Sequence, residues 1–383
     1  MPLNKEERME KIDPYEPCPC GSEKNFKYCC YQQARIRRNS SINLKEYTNS
    51  RLNHEKSKNW DNADFKVCLG FNPEECRPLI KSAHAIQNNG ILNRISENGH
   101  VYTISSKLSK KAMDADFKAD FKKVSKNKAS TFFGFCDYHD TELFKPIEHK
   151  EYTGDPIQNF LFAFRGFCLE YHRKIRKMNS IRNFFKSYPQ AMLNPSIITN
   201  SYRIAEFDLS DSKTGYEAFK EVYTNGNFED LVTLNRSLNY EVEFAISSAF
   251  AVKDDLLGKE INNIFGRETE IIPYICINIF PVQNQTTIIL SYHKKYEKVY
   301  KEYFEQIKAL TDSQLEKYLN FLIINYTENV FFSPRLIDAM NEREKNSLLK
   351  SFESSMQPVK RLELLKEDQF FKFNLFQQQK RQV

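Results

Sequence analysis

"EPCPCGSEKNFKYCC" (residues 16–30) holds four of the nine cysteines of this 383-residue chain. They lie within thirteen residues, as Cys18-Pro19-Cys20 and Cys29-Cys30. Two sharply turning pairs joined by a spacer are typical of a tetrahedral zinc site, in which four thiolates complete the coordination. Gly21 follows the first pair and suits a tight turn. The stretch therefore predicts a closed zinc module, which leaves no coordination position open for catalysis.

The same residues resemble the SEC-C motif, a small zinc module found at the C-terminus of bacterial SecA translocases and in many other bacterial proteins. The pattern C-x-C-G-S-x-K-x-[FY]-K-x-C-[CH] is matched at Cys18, Cys20, Gly21, Ser22, Lys24, Phe26, Lys27, Cys29 and Cys30. The resemblance implies one bound zinc ion and contacts with a protein or the ribosome. It does not imply a translocase, because no phosphate-binding loop of type G-x-x-x-x-G-K-[ST] is present.

The composition favours a cytoplasmic protein with a large aromatic core. The chain has 31 Phe and 20 Tyr, and its net charge of +6 permits an anionic partner without requiring one. The charged N-terminus is not a secretory signal, and no run of about eighteen apolar residues predicts a membrane span. In a reducing cytosol, clustered cysteines indicate metal ligands before disulfides. The sequence does not indicate an oligomeric state.

A second set of metal-ligand residues lies in residues 67–150. Cys136-x-x-His139 is a favourable pair, because both side chains can reach one ion at the start of a helix. We predict a second structural zinc site with the ligands Cys68, Cys76, Cys136 and His139. An alternative set replaces Cys68 by His84 and leaves no histidine free for catalysis.

This second region resembles an HNH-type ββα-metal fold in its zinc-stabilised form. "SAHAIQ" (82–87) stands where that fold has its histidine strand. The resemblance implies that His84 is a general base that activates water for attack on a phosphodiester. It also implies a catalytic Mg²⁺ or Mn²⁺ with Asp140 as the leading ligand; the weaker candidates are Asn88, Asn93 and His100.

Three features depart from the HNH pattern. Seven residues separate Cys68 from Cys76 instead of two, no proline follows "AHAIQ", and the last metal-binding histidine has no counterpart. A long insertion follows, in which residues 106–130 hold eight Lys and three Asp. Such a segment favours phosphate contacts with nucleic acid, although a solvated charged face explains it equally simply. His84 as a plain buried histidine is the remaining alternative.

The fold class expected from these patterns is α+β, in four segments. They are a SEC-C zinc module (1–33), a helical connector (34–66), a divergent HNH-like zinc domain with a Lys-rich insertion (67–150) and an aromatic-rich α+β domain with an antiparallel sheet (151–383). In the last segment we predict a helix after Asp155 and strands in 240–252, 270–282 and 286–293. We also predict a capping box at 311–314, a final helix over 335–352, and buried Cys168 and Cys276. "TENVFFSPR" (327–335) is distinctive but indicates no mechanism.

Two functions follow as hypotheses. The first is a bacterial metal-dependent, HNH-like endonuclease effector that binds nucleic acid, with anti-phage defence as an analogy. The second is a non-catalytic adaptor, in which both zinc sites are structural and create a surface for protein or nucleic acid. The sequence does not decide between DNA and RNA, and it assigns no role to residues 151–383.

Overall fold

The structure is a computed structural model that describes residues 12–39, 49–108, 117–264, 271–355 and 361–376. Residues 109–116 of the Lys-rich insertion therefore lie outside the described residues. The chain divides into two compact units. The smaller unit takes Met1–Phe65, Leu108–Asp116 and Tyr171–Lys213, and the larger unit takes Lys66–Lys107, Phe117–Glu170 and Thr214–Val383.

Helices and antiparallel strands both contribute extensively. The strands are β1 (Ile80–His84), β2 (His100–Leu108), β3 (Phe117–Ser125), β4 (Thr131–Cys136), β5 (Leu231–Leu238), β6 (Phe244–Phe250), β7 (Ile275–Val282), β8 (Gln285–His293) and β9 (Val330–Phe332). The helices are α1 (Tyr31–Ile36), α2 (Asn49–Asn62), α3 (Asn93–Ile95), α4 (Asp137–Glu142), α5 (Lys145–Glu148), α6 (Pro156–Ser187), α7 (Ile197–Asn225), α8 (Glu297–Lys308), α9 (Asp312–Tyr326), α10 (Pro334–Ala339) and α11 (Glu342–Ser354). Within the described residues, no helix is long and apolar enough to cross a membrane.

The smaller unit is built around the cysteine-rich N-terminal stretch. Its apolar core includes Cys18, Cys20 and Phe26. They share it with side chains from the C-terminal half of α6 and from α7, which are Met178, Ile181, Phe185, Tyr202 and Ala205. Phe26 is almost completely buried, and its ring meets the Tyr31 ring edge-on at 5.4 Å. The module thus shares the apolar core of the smaller unit.

The larger unit contains two antiparallel sheets. β1 pairs with β4 in a two-stranded sheet, and the other strands form a sheet in the order β3-β2-β9-β6-β7-β8-β5. The central strands β6 and β7 are buried on both faces, which explains their continuous apolar composition. Tyr303 and Phe321 lie in the core beside this sheet, together with much of α8 and α9. The aromatic residues thus supply the large core that the composition predicts.

The predicted α+β class with antiparallel sheets is confirmed. Asp155 Oδ1 accepts a hydrogen bond from the Ile157 N–H at the start of α6, and Thr311 with Gln314 forms the predicted capping box of α9. One helix was predicted over 335–352, but the structure has two. Asn341 caps the N-terminus of α11 and so starts a separate helix there. Cys168 and Cys276 are buried, as expected.

Gly166 allows α6 to pack directly on β6. A Cβ atom at this position would lie 2.7 Å from Ser247 Oγ and 3.1 Å from the Ser248 backbone nitrogen.

We therefore expect Gly166→Val to destabilise the protein by about 2 kcal/mol, because the added methyl groups overpack this contact. Urea denaturation measures the change. The exposed Lys298→Val of α8 controls for the low helix propensity of valine, and equal stability losses in both variants would contradict the packing argument.

Candidate metal centres

The first cluster brings together all four cysteines of the N-terminal stretch. The Sγ atoms of Cys18, Cys20, Cys29 and Cys30 lie within 4.8 Å of one another. Cys29 Sγ is 3.6 Å from Cys20 Sγ and 3.7 Å from Cys30 Sγ. Four sulfurs bound to one tetrahedral zinc ion at about 2.3 Å would be about 3.8 Å apart. The donor atoms of this cluster therefore fit a zinc ion.

Local backbone turns place these four sulfurs. Gly21 has φ 80°, in the left-handed region that glycine adopts without strain, and its N–H bonds the Cys18 carbonyl at 2.9 Å. A 3₁₀ turn over Phe26–Tyr28 leads into the second pair, with the Cys29 N–H on the Phe26 carbonyl at 3.1 Å. Both cysteine pairs therefore follow from local sequence signals.

The environment of the first cysteine pair favours the thiolate of Cys20 over that of Cys18. Burial raises the pKa of Cys18 to about 11. Burial also opposes ionisation of Cys20, but hydrogen bonds from Ser22 and the neighbouring thiols lower its pKa to about 7. Cys20 is therefore the thiol of this pair that ionises more readily, which suits it to bind a metal ion early.

The second cluster consists of Cys68, Cys76, Cys136 and His139, whose ligand atoms also lie within 4.8 Å of one another. His139 Nδ1 is 3.3 Å from Cys68 Sγ, 3.7 Å from Cys76 Sγ and 3.2 Å from Cys136 Sγ. A tetrahedral zinc ion with one imidazole and three thiolate ligands would place nitrogen and sulfur about 3.6 Å apart. The three observed distances bracket that value, so the donor set fits zinc.

Two ligands of the second cluster, Cys136 and His139, come from the junction of β4 and α4, and Cys68 and Cys76 come from the segment before β1. β4 ends at Cys136, which caps the N-terminus of α4 by accepting a hydrogen bond from the His139 N–H at 3.5 Å. The Cys136 N–H in turn points to Cys68 Sγ at 3.3 Å. Backbone N–H groups directed at sulfur favour the thiolate. The C-x-x-H pair therefore sits at the start of a helix, the placement that its spacing suggested.

His139 is held in the neutral form that a metal ligand needs. The residue is buried, and this burial lowers its pKa although the Glu75 carboxylate opposes the shift. Glu75 Oε2 lies 3.9 Å from His139 Nε2, the ring nitrogen that faces away from the three sulfurs. A carboxylate on this side is the usual outer partner of a metal-bound histidine, since it orients the ring.

His84 is not part of either cluster, so the alternative ligand set with His84 does not form. It ends β1 opposite Thr131. Burial lowers its pKa, and the nearby Arg165 guanidinium adds to this shift, while Asp140 and Glu148 oppose it. His84 Nε2 is buried and has no hydrogen-bond partner among the residues that the structure describes. His84 therefore presents a neutral imidazole with one nitrogen uncommitted.

Arg165 of α6 pairs with the two carboxylates nearest His84. Its guanidinium forms ion pairs with Glu148 and, at 3.5 Å, with Asp140. The Arg165 side chain is only 5% exposed, and its guanidinium lies 4.6 Å from the centre of the Phe144 ring. Removing one partner from such a buried pair is strongly destabilising, because it leaves a charge uncompensated.

The residues predicted around a catalytic Mg²⁺ have protein partners instead. Asp140 binds Arg165, Asn88 Nδ2 donates to Asn127, Asn93 Oδ1 accepts from Lys126, and His100 Nδ1 lies 2.8 Å from the Asn98 carbonyl. Across the described ranges, no third group of three His, Cys, Asp or Glu side chains comes close enough to hold an ion. In these positions the side chains do not form a magnesium site. The binding of a catalytic Mg²⁺ or Mn²⁺ therefore remains a prediction.

The sequence reasoning missed Arg165 and Glu148. One signal was available, since Arg165 is the single charged residue in the apolar run "NFLFAFRGFCL" at the start of α6. A lone cation on a helix that is apolar all round needs a buried acidic partner. Which acidic side chain serves as that partner depends on tertiary structure, and no local pattern shows it.

The absence of a side chain at Gly70 leaves room for the His139 ring. A Cβ atom at Gly70 would lie 2.4 Å from His139 Cγ, closer than any real contact, so the ring would have to move. We expect Gly70→Ala to lose the metal ion of the second cluster while the first cluster keeps its own. Elemental analysis of the purified protein measures both. Gly215→Ala, which brings a Cβ 2.9 Å from the Phe167 ring, is the matched control, and full metal content in Gly70→Ala would contradict the assignment.

The buried neutral His84 predicts a pH dependence of stability. Its folded pKa lies below its ordinary unfolded value, so as pH falls the unfolded chain takes up a proton first and the free energy of unfolding decreases. His84→Gln should therefore lose less stability than the wild type between about pH 7.5 and about pH 5.5 in urea denaturation. The exposed His149→Gln is the control. An unchanged pH dependence in His84→Gln would show that His84 is not buried in its neutral form.

The comparisons with known proteins identify the first cluster alone. Residues 16–32 match the family model described as the SEC-C motif. No curated protein and no solved structure matches the chain. The match covers both cysteine pairs and no residue of the second cluster. This chain therefore carries a SEC-C motif whose four cysteines are placed to bind a metal ion.

Proposed function

We propose that β1, β4 and α4 form an HNH-like nuclease domain in which His84 is the general base. The observation that carries this proposal is the placement of His84. It ends β1, its Nε2 has no hydrogen-bond partner within the described residues, and it lies in the electrostatic field of Asp140 from α4. A strand that ends in a free imidazole beside a metal-stabilised helix is the arrangement that the HNH resemblance implies.

His84 has the protonation state that a base requires. A histidine that stays neutral near pH 7 can accept a proton from an attacking water, and the buried Nε2 is the nitrogen without a hydrogen-bond partner within the described residues, so substrate binding would have to open a path to it. Arg165 holds Asp140 and Glu148, whose charges act on His84, through ion pairs. In this proposal Arg165 fixes the geometry of the two acidic groups, and His84 moves the proton.

Two zinc ions would support the fold. Cys18, Cys20, Cys29 and Cys30 would hold one, and Cys68, Cys76, Cys136 and His139 the other. Four protein ligands close a zinc site, so both ions supply structure and leave the proton transfer to His84. Mg²⁺ or Mn²⁺ remains a separate possibility for assay, because Asp140 would have to exchange Arg165 for the ion.

Nucleic acid is the proposed substrate because exposed lysines lie on β3, the strand that directly precedes a backbone contact of His84. Lys118, Lys122 and Lys123 are exposed on β3. The His84 ring also bonds the backbone of Lys126, one residue beyond β3. Lysines at such a surface bind phosphates through charge and make the affinity depend on salt.

The decisive experiment is a cleavage assay with zinc-loaded protein. Plasmid DNA, single-stranded DNA and single-stranded RNA are each incubated without added divalent ion, with Mg²⁺ and with Mn²⁺. We expect cleavage by the wild type and a loss of about 100-fold or more in His84→Ala, which is the usual contribution of a general base. His149→Ala, an exposed histidine of the same unit, should cleave as the wild type does.

Two outcomes would reject the proposal. The first is that folded wild-type protein with two zinc ions cleaves no substrate under any condition, which would leave only a binding role. The second is that His84→Ala loses zinc and unfolds, which would make His84 a structural residue. Zinc content and circular dichroism of each variant are therefore measured beside the cleavage.

The second candidate is a non-catalytic adaptor with two structural metal sites. The ion pair of Arg165 with Asp140 favours it, since it occupies the carboxylate predicted to bind a catalytic cation. An adaptor would bind nucleic acid without cleaving it, or would bind a protein through the SEC-C motif. Gel-shift assays with the same substrates, run at two salt concentrations, separate such binding from cleavage.

A role in defence against foreign nucleic acid would follow only from cleavage. The test is whether bacteria that express the chain are protected from phage infection.

A further inference from the structure

Asn329 lies directly before β9, and its side chain is completely buried. Its Nδ2 donates hydrogen bonds to Ser130 Oγ at 3.0 Å and to the Ser247 carbonyl at 2.7 Å. Its Oδ1 has no hydrogen-bond partner in the part of the chain that the structure describes. Buried polar atoms cost free energy unless they are bonded. The two donated bonds are therefore what this amide contributes.

Ser130, which receives one of these bonds, holds the segment that follows His84. Its Oγ accepts a hydrogen bond from the Ile86 N–H at 3.0 Å, and its carbonyl accepts one from the Ala85 N–H at 2.8 Å. Ser130 has φ 58°, a backbone conformation that is strained for a residue other than glycine. Such strain persists only where neighbouring groups fix the residue, and Asn329 is one of them.

The end of β1 needs such support because strand pairing stops there. His84 is the last residue of β1 with a strand partner, Thr131, and the register of the β1–β4 pair shifts between Lys81 and Ala83. Beyond His84, the Ala85 and Ile86 N–H groups donate hydrogen bonds to Ser130 in place of strand pairing with β4. The position of the backbone that follows His84 therefore depends on where Ser130 is held.

We propose that Asn329 is a positioning residue for His84, which it orients through Ser130. This inference rests on the proposed function, in which His84 is the base. It also gives a role to the segment "TENVFFSPR", whose asparagine joins the seven-stranded sheet to the strand that follows Ser130. Asn329 is expected to touch no substrate, and its effect passes through hydrogen bonds alone.

The chemistry of the side chain offers a sharp variant. Asn329→Asp has almost the same shape but no N–H donor, and its carboxylate would face the Ser247 carbonyl. Asn329→Ala removes the donors and the volume together. Ser130→Ala removes the shared acceptor while leaving Asn329 in place. If the donors matter, the aspartate variant should be at least as disruptive as the alanine variant.

The first measurement is amide hydrogen exchange by mass spectrometry on peptides that cover residues 80–92 of the zinc-loaded full chain. We expect exchange at Ala85 and Ile86 to rise about tenfold or more in Ser130→Ala and Asn329→Asp, as for the loss of a buried hydrogen bond. The double variant should not exceed Ser130→Ala, because both act on one bond chain. Asn325→Ala is the matched control, since this buried asparagine donates to the Phe321 carbonyl instead.

The second measurement is the cleavage rate of the same proteins. For a positioning residue we expect kcat to fall about tenfold or more in Asn329→Asp while KM changes little, because only the orientation of the base is lost. Unchanged exchange over residues 80–92 in folded Asn329→Asp would overturn the inference. Raised exchange with unchanged kcat would also overturn it, since Asn329 would then serve packing alone. If the wild type cleaves no substrate, the proposed function itself is wrong, and Asn329 has no catalytic role.

Discussion

The meeting of Cys68 with Cys136 and His139 is the constraint on which the larger unit depends. Cys68 and Cys136 are 68 residues apart in sequence. The intervening segment includes β2 and β3, which belong to the seven-stranded sheet. Bringing such distant segments together costs chain entropy, which grows slowly with loop length. A metal ion that binds only the folded arrangement would offset this cost, because its binding free energy would become folding free energy. The position of α4, and with it Asp140, follows from this closure.

The two clusters differ in how much of their geometry is local. The first needs only the turns at Gly21 and Phe26–Tyr28, so the spacing of its cysteines was enough to predict it. The second draws on residues whose spacing is irregular, yet the four predicted side chains do come together. That they bind zinc remains a proposal. Tertiary structure had to supply the remaining facts, above all that Arg165 rather than a second metal faces Asp140.

Other parts of the fold show the same division between local and tertiary signals. The capping box at Thr311 and the start of α6 could be predicted, because each depends on side chains within one helical turn. The long helix α7 was not predicted, since polar residues such as Ser210 and Asp211 in its middle lower helix propensity. "TENVFFSPR" carried no local signal at all. The role proposed for this segment depends on a tertiary contact, the hydrogen bond from Asn329 to Ser130 about 200 positions earlier in the chain.

The placement of β3 has a consequence for the behaviour of the protein at high concentration. β3 ends the order of the seven-stranded sheet among the described strands, so one of its sides lacks a neighbouring strand there. An edge strand can recruit a strand from another molecule and start aggregation. One N–H of β3 is already engaged, since Ala119 donates a hydrogen bond to Glu353 Oε1 of α11 at 2.7 Å. The exposed lysines of β3 oppose this through charge repulsion, whatever else they bind. The lysines proposed to bind nucleic acid would thereby also oppose strand pairing between copies of the chain.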